Sequence, residues 1–128
     1  MNIDILKGRR ILVVDDEEHI RSILKDEMEE LGMEVMEASN GDEAFDIIKS
    51  SEIDIIISDV RMPVASGMKL LEHLSTLEKK PRTIMISGFS DLTIDKAKEM
   101  GAHGIMAKPF HFDAILEQMA LVLSSKAS

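Results

Sequence analysis

The stretch Ile53-Asp54-Ile55-Ile56-Ile57-Ser58-Asp59-Val60-Arg61-Met62-Pro63 decides the fold. Ile53, Ile55, Ile56 and Ile57 form a nearly continuous β-branched run. A strand covered on both faces by helices requires such a run, so we read it as the central strand of a sheet. Pro63 can neither donate to a ladder nor continue a regular element, so the strand ends before it and Asp59 stands at its C-terminal edge. In open parallel sheets that edge is where ligands bind. The remainder of the chain reads as scaffold for this carboxylate.

Upstream, Arg10 to Asp15 is a second apolar strand, and it too runs into acids, Asp15 and Asp16. Glu17 to Leu31 follows with Ile20, Ile23, Leu24, Met28 and Leu31 at helical spacing, and Gly32 stands where a helix C-cap belongs. Glu34 to Ala38 is expected at the sheet edge, where Glu34 and Glu37 discourage pairing with another molecule. Asn40 offers an N-cap with Glu43 three residues on, as in a capping box, and Ala44, Ile47 and Ile48 face inward.

Downstream, Ser66-Gly67 opens a helix whose stripe is Met68, Leu71 and Leu74, widened by Leu70 and Leu77. Arg82 to Ser87 is a strand ending in a hydroxyl. Ser90 or Asp91 caps a helix through Ile94, Ala97 and Met100, closed by Gly101. Gly104 to Ala107 is the fifth strand, followed by Lys108-Pro109, and Phe112, Ile115, Leu116, Met119 and Leu123 define the last helix. Strand and helix alternate throughout, which predicts an α/β fold: a doubly wound parallel sheet with right-handed crossovers. Every strand but the edge one then brings a polar group to the same rim: Asp15 with Asp16, Asp59, Ser87 and Lys108.

At 128 residues the chain is expected to be one domain. Hydrophobic residues at 45% and charged residues at 30% suit a soluble globular protein, and no apolar run reaches the ~18 residues of a membrane span. The first residues lack the basic start and small-residue cleavage site of a signal peptide. With no Cys there is neither a disulfide framework nor a thiolate metal site, which favours a cytoplasmic location. The net charge of −9 opposes phosphate contacts, so direct nucleic-acid binding is not expected. Lys79, Lys80 and Arg82 form a short basic cluster that reads as a solvated loop before a strand.

Three carboxylates gathered at one rim repel one another, and desolvation pushes them towards protonation unless a cation intervenes. All-oxygen ligands suit Mg²⁺, which binds through one or two carboxylates and keeps several waters. Lys108 adds a positive charge and Ser87 a donor, which with the metal make a clamp for a transferring phosphoryl group. Asp59 is then the nucleophile. Taken one at a time, an Asp pair before a helix reads as an N-cap, Ser87 as a turn residue and Lys108 as a solvated lysine. Four strand ends converging with compatible chemistry favour a single explanation. His19, His73, His103 and His111 share no metal-ligand spacing and read as surface or satisfied residues.

Val13-Val14-Asp15-Asp16-Glu17, Asp59-Val60-Arg61-Met62-Pro63, Gly67, Ser87-Gly88 and Lys108-Pro109-Phe110, in this order and on these strand ends, resemble a response-regulator receiver domain of two-component signalling. The resemblance spans Arg10 to about Leu123 and implies a flavodoxin-like sheet in the order 2-1-3-4-5, with residues 1–128 as a single receiver domain. It implies that Asp59 accepts phosphate from a sensor histidine kinase or phosphotransfer protein. Asp16, Asp59 and the Arg61 carbonyl would ligate Mg²⁺, and Asp15 would hold it through water. Ser87 would sense the phosphoryl group and Lys108 would pair with its oxygens. The output would be altered binding of a downstream protein or attached output domain, with no turnover beyond the domain's own phosphotransfer and dephosphorylation.

The sequence departs from the family at Ile105, where receivers usually carry Tyr or Phe, and at His111, where an acid commonly begins the last helix. An aliphatic Ile105 presents no ring edge or hydroxyl to a partner. Phe89 and Arg61 flank the acceptor and are expected to lengthen the lifetime of a phosphoaspartate, Phe89 by obstructing water and Arg61 by a charge-assisted bond. Met119 to Leu123 is apolar around more than half a turn, which suggests a homodimer or docking surface on the last helix; its alternative is cover by the segment Ile3 to Leu6. Two other classes share parts of this pattern. An aspartyl phosphatase of the haloacid-dehalogenase type carries Asp-x-Asp after its first strand, whereas here the second residue after Asp15 is Glu17 and after Asp59 is Arg61. A flavodoxin-like interaction module needs a glycine- or hydroxyl-rich phosphate loop, where this chain has Asp15-Asp16-Glu17.

Overall fold

The apolar runs of the sequence are the strands of the sheet. A computed structural model describes residues 3–60, 67–88, 91–108 and 110–124, the side chains of residues 68 and 91–94 excepted. Its strands are β1 (Arg10–Val14), β2 (Glu34–Ala38), β3 (Ile55–Asp59), β4 (Arg82–Ser87) and β5 (Gly104–Ala107). All pairs are parallel, in the order β2-β1-β3-β4-β5, so β3 is the central strand as expected. The helices are α1 (Glu18–Glu30), α2 (Gly41–Ser50), α3 (Gly67–Leu74), α4 (Asp91–Glu99) and α5 (Phe112–Ser124), preceded by a 3-10 turn at Asp4–Leu6. This is the α/β doubly wound, flavodoxin-like arrangement. Among the described residues no helix is long and apolar enough to cross a membrane.

Alternation along the strands sorts their side chains onto two faces. Ile11, Val13, Ile55, Ile57, Ile84 and Ile86 pack on one face against Leu24 and Met28 of α1 and Ile115, Leu116, Met119 and Val122 of α5. Leu12, Val14 and Ile56 pack on the other against Ala44 of α2 and Leu70 and Leu74 of α3. Val60, Leu71, Met85 and Ala97 continue that face under α4. Being covered on both sides is why the strands read as continuous apolar runs. The central strand is shorter than its sequence suggests: Ile53 is only partly buried and precedes β3, and the Asp54 carboxylate accepts the Arg10 backbone N–H at 2.8 Å.

Helix ends follow local chemistry. Gly32, at φ +92°, lets the chain turn after α1, and the N–H groups of Gly32 and Met33 donate to the carbonyls of Glu29 and Met28. Asn40 Oδ1 accepts from the Glu43 backbone N–H at 2.9 Å, as expected of an N-cap. The returning half of the capping box differs: the Glu43 carboxylate accepts from the Ser39 hydroxyl at 2.9 Å. At α4, Asp91 is already the first helical residue, and the other capping candidate, Ser90, lies outside the described residues, as do the side chains of Met68 and Ile94.

One surface expectation changes, and a second is narrowed. Ile23 is expected in the buried stripe of α1, but it is 42% exposed, because it lies roughly 95° around the helix from the mean direction of Ile20, Leu24, Met28 and Leu31. On α5, Met119, Ala120 and Val122 are buried, and the partly buried Ile3, Ile5 and Leu123 pack against the same core. The 3-10 turn therefore covers most of the apolar width of α5, the alternative that the sequence leaves open beside self-association or docking. Leu121, 57% exposed, is what it leaves on the surface.

Candidate functional site

Register, more than any single motif, builds the rim. Val14 of β1 pairs with Ser58 of β3, so the residues that follow, Asp15 and Asp59, come level at the strand ends. Asp59 pairs with Ile86 and Ser87 with Ala107, which sets Ser87 and Lys108 on the other side of Asp59. The order reverses between β1 and β3, with β2 on one side and β4 on the other, and in doubly wound sheets that reversal opens a crevice beyond the strand ends. The predicted site residues Asp15, Asp16, Asp59, Ser87 and Lys108 all lie there. Arg61, Met62, Pro63, Phe89 and Pro109 lie outside the described residues, so the expectations placed on the Arg61 carbonyl and on Phe89 fall there too.

Asp15 and Asp59 are buried at 5% and 7% exposure, while Asp16 is exposed. One oxygen from each of the three lies within 4.8 Å of the others. Lys108 Nζ donates to Asp59 Oδ2 at 2.6 Å, a charge-assisted bond between residues 49 apart in sequence. Burial lowers the Lys108 pKa, but the hydrogen bond and charge of Asp59, with Asp15 and Glu17, more than offset it and hold the ammonium above its usual value. Burial also pushes the Asp15 carboxyl up; the Glu17 N–H and Lys108 oppose this, and the charges of Asp59 and Asp16 add to it. Ser87 is buried at 1% exposure at the end of β4.

This donor set fits a hard divalent cation: carboxylate oxygens only, two of them in a dry crevice and one facing water that can complete the ion's shell. Gly67 at the start of α3 permits the packing beneath it, since a Cβ there would collide with the Asp59 backbone carbonyl and with Met85 Cε. Ile105 is half-buried against the cluster of Val60, Leu71, Met85 and Ala97. His111 is exposed, and its carbonyl accepts from the Ala114 N–H at the start of α5. Of the other histidines, His103 Nδ1 accepts from the Thr83 N–H at 3.1 Å, as a satisfied residue should. His73 departs from that expectation: its ring packs on Phe45 at 4.8 Å, and among the described residues its buried Nδ1 has no hydrogen-bond partner.

Two participants escaped the sequence reading. Arg21 of α1 donates through Nη1 to the Asp15 carbonyl at 2.6 Å and through Nε to Glu37 Oε1 of β2 at 3.3 Å. Glu37, expected to guard the sheet edge, is instead engaged by Arg21 and, at 3.8 Å, by Lys25. No local pattern signals either contact.

The family model described as response regulator receiver domain matches residues 11–120. The chain is 35% identical over 120 residues to the chemotaxis protein CheY of Bacillus subtilis (strain 168), covering 91% of this chain and 99% of that one. It is 29% identical over 124 residues to sporulation initiation phosphotransferase F of the same strain, covering 96% and 100%. Among solved structures, the response regulator protein TrrA of Thermotoga maritima, in complex with Mg(2+)-BeF, superposes with a TM-score of 0.76 at 34% identity, covering 89% of this chain and 98% of that one.

Proposed function

This chain belongs to the response regulator receiver family of two-component signalling, and from that premise we propose that it is a switch thrown by phosphorylation of Asp59. The observation that carries the reading is the crevice itself: a buried carboxylate 2.6 Å from an ammonium and within 4.8 Å of two further acids. Asp59 attacks the phosphorus of a phosphohistidine on a sensor kinase or phosphotransfer protein. A carboxylate oxygen–phosphorus bond forms, the phosphorus–nitrogen bond breaks, and the imidazole nitrogen takes a proton. Lys108, already aimed at Asp59, keeps its positive charge for the phosphoryl oxygens. Ser87, at the end of the neighbouring strand, is the donor that registers the new group.

Asp16 and Asp59, with the Arg61 carbonyl and with Asp15 acting through water, are the residues that would hold Mg²⁺. When bound it neutralises charge on the acids and on the transferring group. Water later hydrolyses the acyl phosphate, and the domain turns over nothing else. Its output is altered binding of a downstream protein or an attached output domain, in the cytoplasm, without nucleic-acid contacts of its own given its −9 charge. Among the described residues of α5, Leu121 is the exposed large apolar side chain that self-association could use.

Intact mass after incubation with acetyl phosphate and Mg²⁺ tests this. The native protein should gain one phosphoryl group and Asp59→Asn none. An undiminished gain in that variant refutes the assignment. Turnover of phosphoesters without a stable adduct would favour a haloacid-dehalogenase-type phosphatase, and complete inertness an interaction module.

A further inference from the structure

We infer that Arg21 is a positioning residue for the acid pair, fixing the Asp15–Asp16 peptide through its carbonyl and being held in turn by Glu37 of the edge strand. The inference rests on the Mg²⁺ reading above and extends it to residues outside the crevice. Asp15 is the first residue beyond β1, where the ladder no longer holds the chain. Its N–H still donates to the Ala38 carbonyl at 3.1 Å, and its Oδ1 accepts from the Glu17 N–H at 2.9 Å. The remaining backbone group, the Asp15 carbonyl, belongs to the peptide that joins the two acids. Rotation about the bond that precedes this carbonyl would re-aim Asp16, and with it the Glu17 N–H that holds the Asp15 carboxylate. The 2.6 Å bond from Arg21 Nη1 blocks that rotation.

The guanidinium fork suits this task because it makes two bonds in fixed directions. One prong goes to the carbonyl and the other to Glu37 Oε1 at 3.3 Å, with the Arg21 side chain 16% exposed. Lys25 reaches the second Glu37 oxygen at 3.8 Å. Arg21 lies in the first turn of α1, where the helix dipole disfavours a cation. Helix stability therefore does not account for a nearly buried Arg at this place, whereas the carbonyl and Glu37 do.

The charge and the geometry of Arg21 act on metal affinity with opposite signs, which makes the inference testable. A cation behind the acids repels Mg²⁺, so if charge were its only influence, deleting it would tighten binding. If Arg21 aims the carboxylates, deleting it weakens binding, and outer contacts of this kind are worth about 10- to 100-fold in metal affinity. Mg²⁺ titration of the full chain, followed through the amide shifts of residues 15–17 and 59, gives the dissociation constant. Melting temperature without Mg²⁺ checks the fold. Arg21→Met should raise the constant about tenfold, and Arg21→Lys, which keeps the charge but cannot make both bonds, should fall between it and the native protein. A constant for Arg21→Met that is lower, or within twofold of native, overturns the inference. Should Arg21→Met not fold, Arg21→Lys decides: a rise beyond twofold supports the inference and a smaller change overturns it. Failure of the native protein itself to bind Mg²⁺ overturns the metal reading and this inference with it, a result distinct from equal binding by native and variant.

Discussion

Replacing Asp15 with Asn should make the metal-free protein more stable while weakening its response to Mg²⁺. Asn keeps the shape of the side chain and an oxygen to accept the Glu17 N–H, so the perturbation is mainly the loss of a buried charge. Two like charges within 4.8 Å repel by about 3.5 kcal/mol at an effective dielectric of ~20. The Lys108 ammonium and the water around exposed Asp16 screen much of that, and we expect about 1 kcal/mol of relief. For 128 residues the unfolding entropy is about 0.27 kcal/mol/K, so the melting temperature in EDTA at pH 7.5 should rise by ~4 °C. Native protein at free Mg²⁺ about ten times its dissociation constant should gain ~1.4 kcal/mol, or ~5 °C, and Asp15→Asn distinctly less. The pH dependence has a definite sign. Burial first, then the charges of Asp59 and Asp16, raise the folded-state pKa of Asp15 above 3.8. Its contribution to stability is therefore present below 3.8 and lost as pH rises through the folded value. The advantage of the variant should close as pH is lowered towards 3.8. A melting temperature for Asp15→Asn at or below native in EDTA, with the fold intact, would refute the idea that these acids strain the crevice.

Gly67→Ala places a methyl group against the Asp59 carbonyl and Met85, and should cost about 1–3 kcal/mol in chemical denaturation and slow phosphoryl uptake; a loss under half that range would show that α3 can move aside. His103 is held below 6.5 by burial and by Arg82 and Lys80, so the unfolded chain takes up its proton first as pH falls. Native protein should therefore lose stability below pH 6.5 relative to His103→Asn, whose amide oxygen can still accept from Thr83, and the difference should vanish above it, as thermal melts across that range would show. On α5, Met119→Ala should cost about 2–5 kcal/mol and Leu121→Glu no more than about 0.5, by denaturant midpoint. Light scattering that detects a dimer in native protein but not in Leu121→Glu would restore the self-association expected of this helix.

The sequence by itself determined the layering and the chemistry. Ile55, Ile56 and Ile57 announce a strand buried on both faces, and Gly32 and Asn40 mark helix ends, because these signals are local: side-chain shape, backbone freedom and a carbonyl within three residues. The acids, the hydroxyl and the lysine were legible as strand-end groups for the same reason. Only the tertiary structure decided how they meet. The 2.6 Å Lys108–Asp59 bond depends on two parallel registers, β3 with β4 and β4 with β5, and no periodicity within a strand encodes its register with the next. The grip of Arg21 on the Asp15 carbonyl, the capture of Glu37 from the sheet edge, the exposure of Ile23 and the cover that Asp4–Leu6 provides for α5 belong to the same class. Each turns on where a neighbouring element lies, and that position is set by packing of the whole core.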